Sequence, residues 1–295
     1  METAPRFDVA SLPAIRQPDR VLMTTPDHFD VEYVINPHMA GNVGAVDKAR
    51  ARAQWEELRD TYERLDLTVS TVAGAEGQPD MVFCANQTLP YVKPGGSRGV
   101  VLSRMFAPQR RDEVPHYARF FESEGYRVDE LPFDPDAPGQ SFEGMGDGLW
   151  HPGRFLLWGG YGFRTDSVVY DHLADEYGFP VIPLRLTDPD FYHLDTCLAP
   201  LSESTALIYA GAFDAEGLDA IREHFRHVIE APEDEARRLF ACNAHCPDGR
   251  HVIIQRGCQE TNHRLRSAGF DPIEVDTDEY LKSGGSVFCM KVMFW

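Results

Sequence analysis

Short apolar, β-branched runs alternate with single helical stretches along the whole chain, and no long linker or low-complexity segment interrupts them. Runs at 21–23, 67–72, 81–84, 99–103, 128–131, 154–158, 181–186, 205–210, 251–255, 271–275 and 287–294 read as strands. Residues 46–66 read as the clearest helix, because Ala51, Trp55, Leu58, Tyr62 and Leu65 recur at three- and four-residue steps with charges between them. Further helices are expected over 112–125, 166–177, 218–229, 259–268 and 276–282. Such alternation favours one α/β domain of about five repeated strand-containing units over two unrelated domains. Identity between the units is too low to call a repeat from letters alone. Residues 1–20, proline-rich and aperiodic, are expected to form a loose arm, leaving 21–295 as the single domain.

Composition narrows the partners. The net charge is −19, with four lysines against 24 arginines. Nucleic acid and anionic membrane both require a basic footprint, so neither is expected. No apolar run approaches the ~20 residues of a membrane span. Residues 1–20 are broken by charges and prolines and lack a signal-peptide core. Six cysteines in 295 residues fit reduced thiols in a cytoplasm better than a disulfide framework. An acidic, lysine-poor surface suits a salt-loaded cytoplasm, where screening reduces self-repulsion, and this points to a halophilic source.

Several polar residues stand at strand ends or turns. Near the C-terminus, Ser283-Gly284-Gly285-Ser286 leads into Val287-Phe288-Cys289, so a thiol follows flexible backbone that a ligand can approach closely. Glu143 and Asp147 share the glycine-rich turn Glu143-Gly144-Met145-Gly146-Asp147. In the extended segment 192–196, His193 and Asp195 share a face, and histidine is the usual proton shuttle near neutrality. Cys242, His245, Cys246 and His251 have spacing too loose for a structural zinc site. The chain carries no nucleotide-binding glycine signature and no G-x-S-x-G elbow. A cysteine, a histidine and several carboxylates that converge would form a site for nucleophilic attack on a cation-bearing carbon. Carboxylates would clamp a guanidinium, while Arg104 and Arg164 would hold a carboxylate at the far end of the substrate. An arginine-like amino acid has both groups.

The chain resembles the guanidino-group-modifying enzymes of the pentein superfamily. These include arginine deiminases, dimethylarginine dimethylaminohydrolases, amidinotransferases and arginine dihydrolases. The resemblance runs from about Leu22 onward. It rests on Pro26-Asp27-His28-Phe29-Asp30, Val82-Phe83-Cys84-Ala85-Asn86, Glu143-Gly144-Met145-Gly146-Asp147, Gly162-Phe163-Arg164-Thr165-Asp166, His193-Leu194-Asp195-Thr196 and Gly284-Gly285-Ser286-Val287-Phe288-Cys289. It implies a five-bladed pseudo-symmetric α/β propeller of ββαβ units. It also implies that Cys289 is the nucleophile, that His193 is the general acid/base, and that Glu143 and Asp195 grip the guanidinium. A covalent thiouronium would form and then be hydrolysed. No metal or organic cofactor is implied; the partner is a small guanidino substrate, and homo-oligomerisation stays open.

Two positions select among family members. Methylarginine hydrolases tend to carry His-Leu-Lys where this chain has His193-Leu194-Asp195, and arginine deiminases carry Arg-Asp where it has Ala85-Asn86. The resemblance is therefore to the arginine dihydrolase branch, which takes arginine to ornithine, ammonia and carbon dioxide. A neutral Asn86 amide can bond a neutral ureido intermediate. A deiminase, a methylarginine hydrolase and an amidinotransferase are the enzymatic alternatives, and a non-catalytic pentein is the alternative of another class. Met145 and Cys84 depart from the family pattern.

Overall fold

A computed structural model describes residues 7–133 and 138–295, so the first six residues of the expected arm lie outside it. The strands form five small sheets. In the first, β1 (Arg20–Thr24) pairs antiparallel with β14 (Val292–Phe294) and parallel with β2 (Thr68–Val72), which it reaches through α1 (Lys48–Arg64). The second sheet repeats this order with β3 (Thr88–Val92), β4 (Arg98–Leu102) and β5 (Arg127–Asp129), with α2 (Val114–Ser123) in the crossover. The third has β6 (Gly148–Trp150), β7 (Leu157–Tyr161) and β8 (Val181–Arg185), preceded by the single turn α3 (Gly144–Asp147) and crossed by α4 (Val168–Tyr177). The fourth has β9 (Leu198–Ser202), β10 (Thr205–Ile208) and β11 (His227–Glu230), with α5 (Ala215–His224) between the last two. After α6 (Glu233–Leu239), β12 (His251–Gln255) and β13 (Asp271–Val275) pair in parallel across α7 (Gln259–Ser267), and a lone antiparallel bridge from His245 to Ile253 stands in for the first strand. A final turn, α8 (Asp278–Leu281), precedes β14.

Each unit thus has an antiparallel inner strand, a central strand and a parallel strand beyond the helix. The inner and central strands are mostly buried, while β2, β5, β11 and β13 are partly exposed. Asp47 caps α1 by accepting from the amides of Ala49 and Arg50, which explains why that helix starts where it does. Among the described residues, no helix is long and apolar enough to cross a membrane.

Several sequence expectations differ from the structure. The run 81–84 is not a strand; Pro79–Val82 is a buried 3-10 turn, and the strand follows at β3. Proline hides β3 and β9 from a propensity reading. Pro90 and Pro200 are tolerated because both strands lie at a sheet edge, where a missing amide breaks no second ladder. The helix expected over 218–229 stops at His224, and the β-branched residues Val228 and Ile229 pair with β10 instead. Only the end of 287–294 is a strand; the rest is the turn that carries Cys289. The arm is tied down along 13–15, where Ala14 bridges Arg154 and the Phe155 amide donates to the Pro13 carbonyl.

Candidate active site

Equivalent segments of the five units converge. Each leads into the inner strand of its unit: Asn86 before β3, Glu143 and Asp147 before β6, His193 and Asp195 before β9, Asn243 before the His245 bridge, and Cys289 before β14. Backbone bonds stitch these segments together. The Ala85 amide donates to the Cys289 carbonyl at 3.1 Å, and the Met145 amide to the Ala85 carbonyl at 2.8 Å. Close approach dictates the glycines: a Cβ on Gly285 would strike the Phe83 ring, and one on Gly146 would strike the Asn86 amide nitrogen. The Asn86 Nδ2 is buried with no hydrogen-bond partner.

Cys289 is 3% exposed. Its Sγ donates to Asp195 Oδ2 at 3.1 Å and accepts from Asn243 Nδ2 at 3.2 Å. Asn243 Oδ1 in turn accepts from the amides of Ser286, Phe288 and Cys289, so one amide side chain holds the whole cysteine turn. On the opposing segments, His193 Nε2 lies 2.6 Å from Glu143 Oε2. Glu143 Oε1 accepts from the Phe106 amide at 3.0 Å, and the Arg164 guanidinium stands 3.4 Å from the carboxylate. Asp147 accepts from Thr165 Oγ1 and from the Leu194 amide; it shapes the His193 loop from below.

Burial by itself raises the pKa of Glu143, but the Arg164 guanidinium and the His193 hydrogen bond outweigh it and hold the carboxyl at about 2. An ionised carboxylate only accepts, so His193 Nε2 carries the proton of their bond. Burial pushes Asp195 up to about 7, against the pull of Cys289, Lys291 and Asn243. Burial and the facing Asp195 carboxyl push the Cys289 thiol well above its ordinary value. Both effects favour the neutral thiol.

A cavity of about 20 Å³ is lined by Asn86, His193, Cys289, Arg164, Arg110 and Asp80, among others. Of the site residues expected from sequence, Cys289, His193, Glu143, Asp195, Asn86 and Arg164 are brought together here. Arg104 is not: its Nη1 donates to Gln140 Oε1, and it borders a neighbouring groove of about 500 Å³. The buried cation near Asn86 is Arg110, which sequence reasoning missed. It grips Glu113, donates to Asn86 Oδ1 at 2.9 Å and donates to the carbonyls of Asp80 and Phe83. Asp80 was missed too, although an acid beside the apolar run 81–84 was a visible signal. Asn243 was overlooked between the two cysteines, 242 and 246, considered as zinc ligands. There His245 meets the Tyr62 hydroxyl and His251 pairs with Asp248.

A family model described as N,N dimethylarginine dimethylhydrolase, eukaryotic, matches residues 32–294. The bifunctional arginine dihydrolase/ornithine cyclodeaminase ArgZ of Synechocystis sp. is 39% identical over 275 residues, covering 92% of this chain and 37% of that protein. The chain thus spans little over a third of that bifunctional relative. The N(G),N(G)-dimethylarginine dimethylaminohydrolase of Mycobacterium tuberculosis is 39% identical over 282 residues, covering 94% of this chain and 87% of that enzyme. A crystal structure of a variant ArgZ N-terminal domain, covalently bound to a reaction intermediate, superposes with a TM-score of 0.85 at 39% identity, covering 93% of this chain and 97% of that domain. The chain belongs to the N,N-dimethylarginine dimethylhydrolase family, within the pentein superfamily of guanidino-group-modifying enzymes.

Proposed function

We propose that this chain is a cysteine-dependent arginine dihydrolase. The observation that carries the reading is the pairing of a Cys289 thiol on Asp195 with a His193 imidazole on an ionised Glu143 around one buried cavity. The substrate guanidinium sits between Glu143 and Asp195 and lowers the Cys289 pKa, so that the thiol passes its proton to His193 and the thiolate forms beside the cation. The thiolate attacks the guanidinium carbon, and His193 protonates the departing amine, which leaves as ammonia. Water activated by His193 hydrolyses the thiouronium to a ureido product. A second pass on the ureido carbon, held by the neutral Asn86 amide, completes the balance: arginine and two waters give ornithine, two ammonia and one carbon dioxide. Arg164, stacked on Tyr192 at 4.9 Å, holds the substrate carboxylate. The covalent intermediate on the ArgZ domain supports this route.

The five sheets are read as the blades of one α/β propeller over 21–295, closed by β14 on β1. The setting is cytoplasmic.

Product analysis decides the reading. Labelled arginine should yield ornithine with two ammonia per turnover, and Cys289→Ser should yield neither while folding normally. Citrulline alone would make the chain a deiminase. Turnover of dimethylarginine in preference to arginine would favour the methylarginine hydrolase to which the family model points.

A further inference from the structure

Arg110 decides which end of the Asn86 side chain turns to the cavity. The two ends of a carboxamide have nearly the same shape, so a neighbour must distinguish nitrogen from oxygen. Arg110 Nη1 donates to one end at 2.9 Å. A guanidinium has donors only, so that end is Oδ1 and the other is the NH2. The Arg110 fork is itself buried and held in one plane. Its Nε and Nη2 donate to Glu113, and Nη2 also reaches the carbonyls of Asp80 and Phe83. The Asn86 amide cannot turn over without pressing its own NH2 onto that cation.

The end left over, Nδ2, is buried and has no hydrogen-bond partner among the described residues. Asn86 lines the same cavity as His193 and Cys289. A Cβ on Gly146 would strike Nδ2 and would also stand 3.4 Å from the His193 ring, so the amide donor and the imidazole flank one gap. A buried donor without a partner is unfavourable, and a ligand that brings an acceptor relieves it. A guanidinium brings none. A ureido group brings its carbonyl oxygen.

We infer that Arg110 is a positioning residue: by holding Asn86 Oδ1 it fixes Nδ2 as a donor toward the cavity, and so raises the affinity of the site for a ureido group relative to a guanidinium. This deepens, and rests on, the reading of Asn86 as the partner of the ureido intermediate. Arg110 acts through Asn86. Its bonds to the carbonyls of Asp80 and Phe83 also brace the backbone there, so the test must separate that bracing from the effect on ligand choice.

The probes are citrulline and arginine, bound to Cys289→Ser so that neither is consumed. The chain has five asparagines, so nitrogen-15-labelled asparagine gives five side-chain amide pairs, with Asn86 identified by its loss in Asn86→Ser. Saturating citrulline should move the Asn86 amide protons downfield, and saturating arginine should move them less. Equal shifts with the two ligands, or bound citrulline with the Asn86 protons unmoved, overturn the inference alone. Citrulline that does not bind at all takes down the dihydrolase reading with it. Two variants then test Arg110 in the same background. Arg110→Lys keeps a cation beside Glu113 but loses the planar fork. Arg110→Met combined with Glu113→Gln removes both members of the buried pair, so neither charge is left alone. Calorimetry should show the ratio of citrulline to arginine affinity falling about tenfold in each variant that folds, the factor of one hydrogen bond. Equal losses for both ligands would assign Arg110 a bracing role only, and an unchanged ratio at unchanged affinity would assign it none; either overturns the inference. The labelled Cys289→Ser protein gives its answer whether or not these variants fold.

Discussion

His193 Nε2 and Glu143 Oε2 are 2.6 Å apart, both side chains are buried, and the carboxylate is ionised. This bond fixes the imidazole's tautomer and keeps a negative charge beside the position proposed for the substrate guanidinium. Glu143→Gln preserves shape and removes the charge. It should lower kcat by about 10²- to 10⁴-fold, the range of a lost acid–base function, with little change in Tm. Steady-state kinetics with arginine checks this; unchanged kcat would remove Glu143 from the machinery.

Asn243 bonds the Cys289 sulfur, the Asp195 carbonyl and three amides of the cysteine turn. Asn243→Ala leaves the Ser286 and Cys289 amides without partners, while the Phe288 amide keeps the Asn243 carbonyl. Each unpaired amide costs about 1–3 kcal/mol, so a loss of at least about 2 kcal/mol is expected, together with slower alkylation of Cys289 or none. Urea unfolding and iodoacetamide labelling measure the two effects separately.

Stability and activity should respond to pH in opposite directions. Burial pushes Asp195, Asp147 and Glu113 each up to about 7 in the folded protein. Their unfolded values are about 4, so the fold binds more protons than the unfolded chain between about pH 4 and 7. The stability they contribute is fully present below about pH 4 and is lost as pH rises through about 7. Glu143, held at about 2, contributes stability above about pH 4 that is lost as pH falls toward 2. His151, pushed down to about 4 by burial, opposes the three raised carboxyls between about pH 4 and 6.5. Tm should therefore decline most clearly between about pH 6.5 and 8, while kcat/KM rises toward pH 8 as Asp195 ionises. A Tm that climbs between about pH 6.5 and 8 would contradict this balance.

A net charge of −19 on a surface nearly free of lysine predicts stabilisation by salt. Unfolding followed at low and at multimolar KCl should show a higher midpoint at high salt. Equal midpoints would remove the case for a halophilic source.

The candidate site residues are legible because they stand at turns and strand ends. Gly284-Gly285 before Cys289, the glycine turn after Glu143, and the extended His193-Leu194-Asp195 each place a reactive side chain beside irregular backbone. The helices were legible where periodicity was strong, as in α1, and the α/β class followed from alternation. The edge strands β3 and β9 escaped, where Pro90 and Pro200 lower strand propensity, although β8 and β13 are legible despite Pro183 and Pro272. Arg104 and Arg110 look alike in the sequence, six residues apart. Packing alone turns Arg110 inward onto Glu113 and Asn86 and sends Arg104 to Gln140. Asn243 carries no local signal, since it acts through partners more than 40 residues away. The sequence alone determined which side chains can react and that strands and helices alternate. The tertiary structure decided which of them share one dry site, because desolvation and charge pairing exist only once the five units have closed around it.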